Sequence, residues 1–193
     1  MTARVRSTIV ILAGLVAAPA LSQESRYTDL VGPACKFLPR DPRPGDVKRC
    51  RGLGGASPET LAEHTRTQFG LRFDGAPAAP LLNAWSFGTR LEWRGRSGSA
   101  GFTPEAAILR VLLKDPDSAK PTADGQVLAV MRIDAPGRRA CLMAVLDGSR
   151  PDANARAREV ADRLGASFRC GADRPSTAGD ATPWTKAVLE SLP

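Results

Sequence analysis

Polar and apolar residues alternate from Thr65 to Phe73, which places Phe69, Leu71 and Phe73 on one face and predicts a half-buried strand. The same period returns over Thr89 to Arg94, with Leu91 and Trp93 inward and Arg90, Glu92 and Arg94 outward. Ala106 to Leu113 is a nearly continuous apolar run, short for a helix and suited to a strand covered on both faces. Gln126 to Ile133 and Arg139 to Leu146 flank Asp134-Ala135-Pro136-Gly137, and together they predict a hairpin. The period then changes. Ala153, Ala157, Val160, Ala161 and Leu164 recur at helical spacing. Ser149 is the expected cap, with Pro151 in the first turn and Asp152 three residues on. Arg158 with Asp162 and Glu159 with Arg163 are expected i,i+4 pairs on the outer face, and Gly165 the left-handed stop. An apolar face made mostly of alanine lets this helix lie close to a sheet.

The remaining segments are shorter. Cys35 to Leu38 and Val47 to Cys50 read as strands around the proline-rich turn Asp41 to Asp46. Ser57-Pro58-Glu59 carries a helix-start signal, and Thr60 to His64 is ambiguous between helix and strand. Gly75 to Pro80 reads as a connector, Arg96 to Gly101 as a flexible tip and Ala166 to Cys170 as a short strand. Thr182 to Leu192 is a terminal helix after the polar linker Gly171 to Ala181. The order predicts an α+β fold: a mainly antiparallel sheet with one packed helix, a short C-terminal helix and disulfide staples. The expected organisation is a signal peptide over residues 1–22, a single exported domain over 23–175, and a polar linker with helical tail over 176–193.

The signal reading rests on Arg4 and Arg6, the apolar run Thr8 to Ala18, and the small residues Ala20 and Ser22 at a cleavage site. A cut after Ala20 is the alternative. The run is too short for a membrane span, so the expected location is the periplasm or the exterior. Removing 22 of 193 residues leaves 171, enough for one domain with a core. In an oxidising compartment the four cysteines, Cys35, Cys50, Cys141 and Cys170, are expected to form two disulfides. Three pairings exist, and Cys35 with Cys50 and Cys141 with Cys170 is favoured, because each joins segments that a short return brings together. Their spacings of 14, 90 and 28 intervening residues do not suit zinc, which wants ligands two to four residues apart. No metal or cofactor is expected.

Charge adds less than its sign suggests. The net +7 falls to +5 once the two signal arginines leave. The arginines, 22 against 5 lysines, are dispersed rather than gathered in a basic stripe, which argues against nucleic acid and leaves an acidic envelope polymer or protein face as the anionic partner class. His64 is the only histidine, and no G-x-S-x-G accompanies it. Oxidation would consume all four thiols. Gly52-Leu53-Gly54-Gly55 lacks the third glycine of a dinucleotide loop, and Asp115, Asp117 and Asp124 lack the spacing of a calcium loop. No catalytic residue is singled out. Arg90, Arg94 and Arg96, with tryptophans nearby, form the candidate ligand-binding patch.

The signal, Tyr27-Thr28-Asp29-Leu30 leading to Cys35, the stretch Gly45 to Gly55 through Cys50, and Leu91-Glu92-Trp93-Arg94 together resemble uncharacterised exported periplasmic proteins of Gram-negative bacteria. The resemblance extends over most of the chain beyond the signal, including Ala140 to Cys170, and implies a location and a shared fold but no activity. The expectation is a small binding or inhibitory module rather than an enzyme. An envelope hydrolase using carboxylates and a structural envelope component are the alternatives, since twenty acids offer many pairs and none stands out.

Overall fold

The computed structural model describes residues 23–38, 46–76 and 78–192. The expected signal peptide, and residues 41–45 of the expected turn, lie outside the described residues. Eleven strands among the described residues form two sheets. The larger is ordered β1 (Glu24–Asp29), β7 (Ser86–Gly98), β8 (Gly101–Leu113), β9 (Gly125–Asp134), β10 (Arg139–Asp147) and β11 (Ser176–Thr177). The smaller is a meander of β2 (Cys35–Phe37), β3 (Asp46–Cys50), β4 (Ala56–Glu63), β5 (Arg66–Phe73) and β6 (Ala79–Ala84). Every pairing is antiparallel except β10 with β11. With helices α1 (Ala153–Leu164) and α2 (Pro183–Glu190), this is an α+β fold stapled by two disulfides.

The period-two patterns sort the apolar side chains into two cores, one on each face of the large sheet. Leu91 and Trp93 of β7, Ala107, Leu109 and Val111 of β8, and Val127, Ala129 and Met131 of β9 meet Phe69, Leu71, Phe73 and Leu82 of the small sheet. The alternate residues Ala106, Ile108, Leu128 and Val130 meet Ala153, Ala157, Val160 and Ala161 of α1. The molecule is therefore three layers deep: small sheet, large sheet, helix. Coverage on both faces explains the unbroken apolar run at Ala106 to Leu113. Trp93 is fully buried, and its indole N–H donates to Thr28 Oγ1 at 2.9 Å, which satisfies the one polar atom of the ring.

Several local expectations give way to tertiary context. Glu92 and Arg94 were expected to face solvent, but α1 covers that face and leaves each 8% exposed. Ser57-Pro58-Glu59 opens no helix; it lies in β4. Proline is accommodated there because β3 pairs β4 only from Glu59 to Ala62, so Pro58 faces β5 alone and its missing N–H breaks no second ladder. Part of the expected connector, Ala79 and Pro80, belongs to β6. The expected tip is a long hairpin in which Gly98 pairs with Gly101.

Asp152, not Ser149, is the N-cap of α1, and it makes no side-chain cap bond; Ser149 instead donates to Asp147 Oδ1 at 2.6 Å. Gly165 is right-handed (φ −53°), and what requires glycine there is space, since a Cβ would fall 2.5 Å from the Ala161 carbonyl oxygen. Ala166 to Cys170 is turn and coil rather than a strand. The segment read as linker and tail adds β11 to the sheet, and α2 buries Thr185 and Val188. Thr182 and Thr185 form a reciprocal capping box at the start of α2.

Both favoured disulfides are present. Cys35–Cys50 joins directly opposed positions of β2 and β3, and Cys141–Cys170 ties β10 to the segment after α1 with a Cα separation of 5.6 Å.

Several carboxyls are held below their ordinary range. The Arg139 guanidinium, then the Gly137 N–H, lower Asp134, and the Ser149 hydroxyl and N–H lower Asp147. Burial works to raise Glu105, but hydrogen bonds from Gln23 and Arg96 outweigh it. A lowered folded value means that the unfolded chain takes up protons first as pH falls. The stability these groups contribute is complete above about pH 5 and lost as pH drops through their lowered values. We expect Tm to hold from pH 7 to about 5 and to fall below about pH 4, and Glu105→Gln to flatten part of that slope. A slope unchanged by Glu105→Gln would count against this assignment.

Candidate functional site: an arginine cleft at the start of the packed helix

One of the register irregularities of the large sheet lies in the β7–β8 pairing beside the start of α1. Phe87 pairs with Val111 and Leu91 with Leu109, so Gly88, Thr89 and Arg90 together oppose the single residue Arg110. Such a bulge bends the strand and breaks the ladder locally. Gly88 suits this close approach, since a Cβ there would make a tight 3.0 Å contact with the Arg110 Cβ. The opening this creates, continued by the first turn of α1, is a cleft of about 410 Å³.

Three guanidinium groups and one carboxylate, Glu92, line the cleft. Arg158 of α1 donates from Nε to Glu92 Oε1 at 2.6 Å and from Nη2 to the Tyr27 hydroxyl at 3.4 Å. The hydrogen bonds it donates to Glu92 hold Arg158 above its ordinary value. Arg90 is exposed, lies 4.5 Å over the Tyr27 ring, and sits 3.4 Å from Asp29. Arg110 differs from both. Half-buried on the floor, it donates to Gln126 Oε1 at 2.8 Å, to the Gly148 carbonyl at 2.7 Å and to Asn154 Oδ1 at 3.2 Å. All three acceptors are neutral, and Arg110 meets no carboxylate among the described residues. Asn154 lies in the first turn of α1, the end of a helix whose N–H groups lack intrahelical partners. A half-buried positive charge with neutral partners, next to a helix N-terminus, has the chemistry to take an anion as countercharge.

The three arginines singled out in the sequence do not share one patch. Arg90 lines the cleft. Arg94 lies under α1, where Nε and Nη2 grip Asp162 at 2.9 and 2.6 Å and Nη1 donates to Ser25 Oγ at 2.7 Å. Arg96 pairs with Glu105. The Arg158–Asp162 pair expected along the helix is replaced by bonds to the sheet, Arg158 taking Glu92 and Asp162 taking Arg94, and no ion pair between Glu159 and Arg163 forms among the described residues. Sequence reasoning missed Arg110, Arg158, Asn154 and Tyr27. Two signals pointed toward the cleft. Arg110 is the one charge inside the apolar run Ala106 to Leu113, and Gly88 is an isolated glycine next to a strand pattern.

His64 is exposed in the tight turn between β4 and β5, at φ 46°. Asp124 accepts from the Asp115 N–H at 3.1 Å and the Ser118 hydroxyl at 3.0 Å, so these acids brace their own loop. No cluster of three or more metal-ligating side chains occurs among the described residues, and no helix among them is long and apolar enough to cross a membrane. No protein-family model, curated protein or solved structure matches the chain.

Proposed function

We propose that the protein is an exported binding module, working in the periplasm or outside the cell, that holds a carboxylate or phosphate group of an envelope polymer or protein in the arginine cleft. The observation that carries this reading is Arg110, whose half-buried charge has only neutral acceptors. A ligand oxyanion would supply the missing countercharge without displacing an existing ion pair. Tyr27, 45% exposed at the rim beneath Arg90, offers a ring face to the part of the ligand next to its acidic group. The two disulfides suit an oxidising compartment.

Titration calorimetry with trigalacturonate and with inorganic phosphate tests the reading. We expect saturable binding of at least one of them at low ionic strength, weakening as salt screens the charges. Arg110→Gln should weaken that binding by about tenfold or more, the worth of one charge-assisted hydrogen bond. Arg90→Gln, at the exposed rim, should produce a smaller loss with an unchanged melting curve. Undiminished affinity in Arg110→Gln, or no binding of either anion by the wild-type protein, would overturn the proposal.

A further inference from the structure

The arginine cleft holds more donors than the protein uses. Arg110 donates from Nη1 and Nη2, and its Nε–H meets no acceptor among the described residues. Arg158 donates from Nε and Nη2 and leaves Nη1 without a partner among them. Arg90 makes no hydrogen bond to a described residue. Its 3.4 Å contact with Asp29 joins side chains 63% and 64% exposed, a weak pair open to competition. The Tyr27 hydroxyl accepts from Arg158 and keeps its own proton to donate. The acceptors, in contrast, are already engaged: Glu92 receives bonds from Ser25 and Arg158, and Asn154 Oδ1 receives one from Arg110.

From this imbalance we infer that the group recognised in the cleft is an organic phosphate monoester in its dianionic form. The inference rests on the anion-cleft reading above and narrows its ligand from any oxyanion to one. A monoester dianion only accepts, through three terminal oxygens, which suits a lining whose spare groups are donors. Those oxygens point in three directions, and guanidiniums stand on three elements around the cleft: Arg110 on β8, Arg158 on α1 and Arg90 on β7. A carboxylate offers two oxygens in one plane, and a uronate adds hydroxyls that must donate where the acceptors are taken. A phosphodiester has two terminal oxygens and a single charge. Three guanidiniums against the one carboxylate, Glu92, leave the lining with an excess of two positive charges, and a monoester carries about −1.5 to −2 at pH 7. The volume, about 410 Å³, is that of a small-molecule pocket rather than of a single-ion site.

A monoester loses its second proton at about pH 6, so its affinity should rise with pH through that value. No histidine faces the ligand. The ionisable lining is Tyr27, Arg90, Glu92, Arg110 and Arg158; Asp29 flanks Arg90, and Asp147 and Asp152 stand before α1 outside the lining. His64, the only histidine, lies in the β4–β5 turn.

The test is titration calorimetry on the wild-type protein with glycerol 3-phosphate and glucose 1-phosphate, compared with dimethyl phosphate, trigalacturonate and inorganic phosphate. At about pH 7.5 we expect at least one monoester to bind about tenfold more tightly than dimethyl phosphate and trigalacturonate. Its affinity should fall by about tenfold between about pH 7.5 and 5 as the dianion takes up a proton, while that of dimethyl phosphate stays flat. Arg90→Gln, with its melting curve as the check on folding, should narrow the preference by costing the monoester more than the diester. Monoesters bound no more tightly than the diester or trigalacturonate, a pH-independent affinity, equal losses in Arg90→Gln, or inorganic phosphate bound more tightly than both esters would each overturn the inference. These outcomes leave the anion cleft standing so long as Arg110→Gln weakens the binding observed. No binding of any of the five ligands would overturn both.

Discussion

Reduction of both disulfides should lower Tm by about 15–20 °C, the largest effect expected for any covalent change in this protein. Cys35–Cys50 closes a separation of 15 residues and Cys141–Cys170 one of 29. In the chain-entropy model these restrict the unfolded state by about 3 and about 3.5 kcal/mol respectively. The second bridge also has a structural task. It anchors the coil after α1 to β10, at the point where the chain leaves the helix and returns to pair β11 with the sheet edge. Removing Cys141–Cys170 by paired alanine substitution should therefore cost more than removing Cys35–Cys50, and β11 should lose hydrogen-exchange protection ahead of the rest of the sheet. Mass spectrometry of the native protein should find no alkylatable thiol, since all four cysteines are bridged. Two modified cysteines in folded protein, or a Tm indifferent to reductant, would contradict this account.

Asp162→Ala should destabilise the protein by about 3 kcal/mol, a fall in Tm of about 6–12 °C, although the residue lies on a helix surface position that the sequence assigns to solvent. The reason is its partner. The Arg94 side chain is 10% exposed and gives Asp162 two parallel hydrogen bonds, so loss of the carboxylate strands a guanidinium beneath α1 with only Ser25 and a distant backbone oxygen as acceptors. Breaking a covered pair from one side costs more than replacing both partners. Asp162→Asn, which keeps one acceptor, should be milder. The double variant Arg94→Met with Asp162→Leu should recover most of the loss. An Asp162→Ala protein within about 0.5 kcal/mol of wild type would show that the pair behaves as an exposed one.

The same network links this pair to the cleft. Ser25 accepts from Arg94 and donates to Glu92 at 2.5 Å, and Glu92 holds Arg158, which reaches Tyr27. The cleft wall is thus built on the same chain of charges that docks α1 on the sheet. Variants at Glu92 or Arg158 should alter stability and anion affinity together, whereas Arg110, outside that chain, should report on binding alone.

The strands whose alternation is regular, the alanine-faced helix and the hairpin at Asp134 to Gly137 are legible in the residues themselves, and the cysteine spacing favours the two pairings that form. Each of these depends on residues close in the chain, and a period of two or 3.6 is a local property. Which faces of the strands are covered depends on contacts between segments far apart in the chain. β7 has an inward and an outward side in sequence, but whether the outward side meets water depends on where α1 lands, 60 to 70 residues later. That landing turns Glu92 and Arg94 from surface charges into buried pairs. It also redirects Arg158 and Asp162 from each other to the sheet and leaves Arg110 beyond the end of the helix with neutral company. Long-range packing selects among the partners that local spacing allows, because the desolvation of a buried charge outweighs the few tenths of a kcal/mol that an exposed i,i+4 pair contributes.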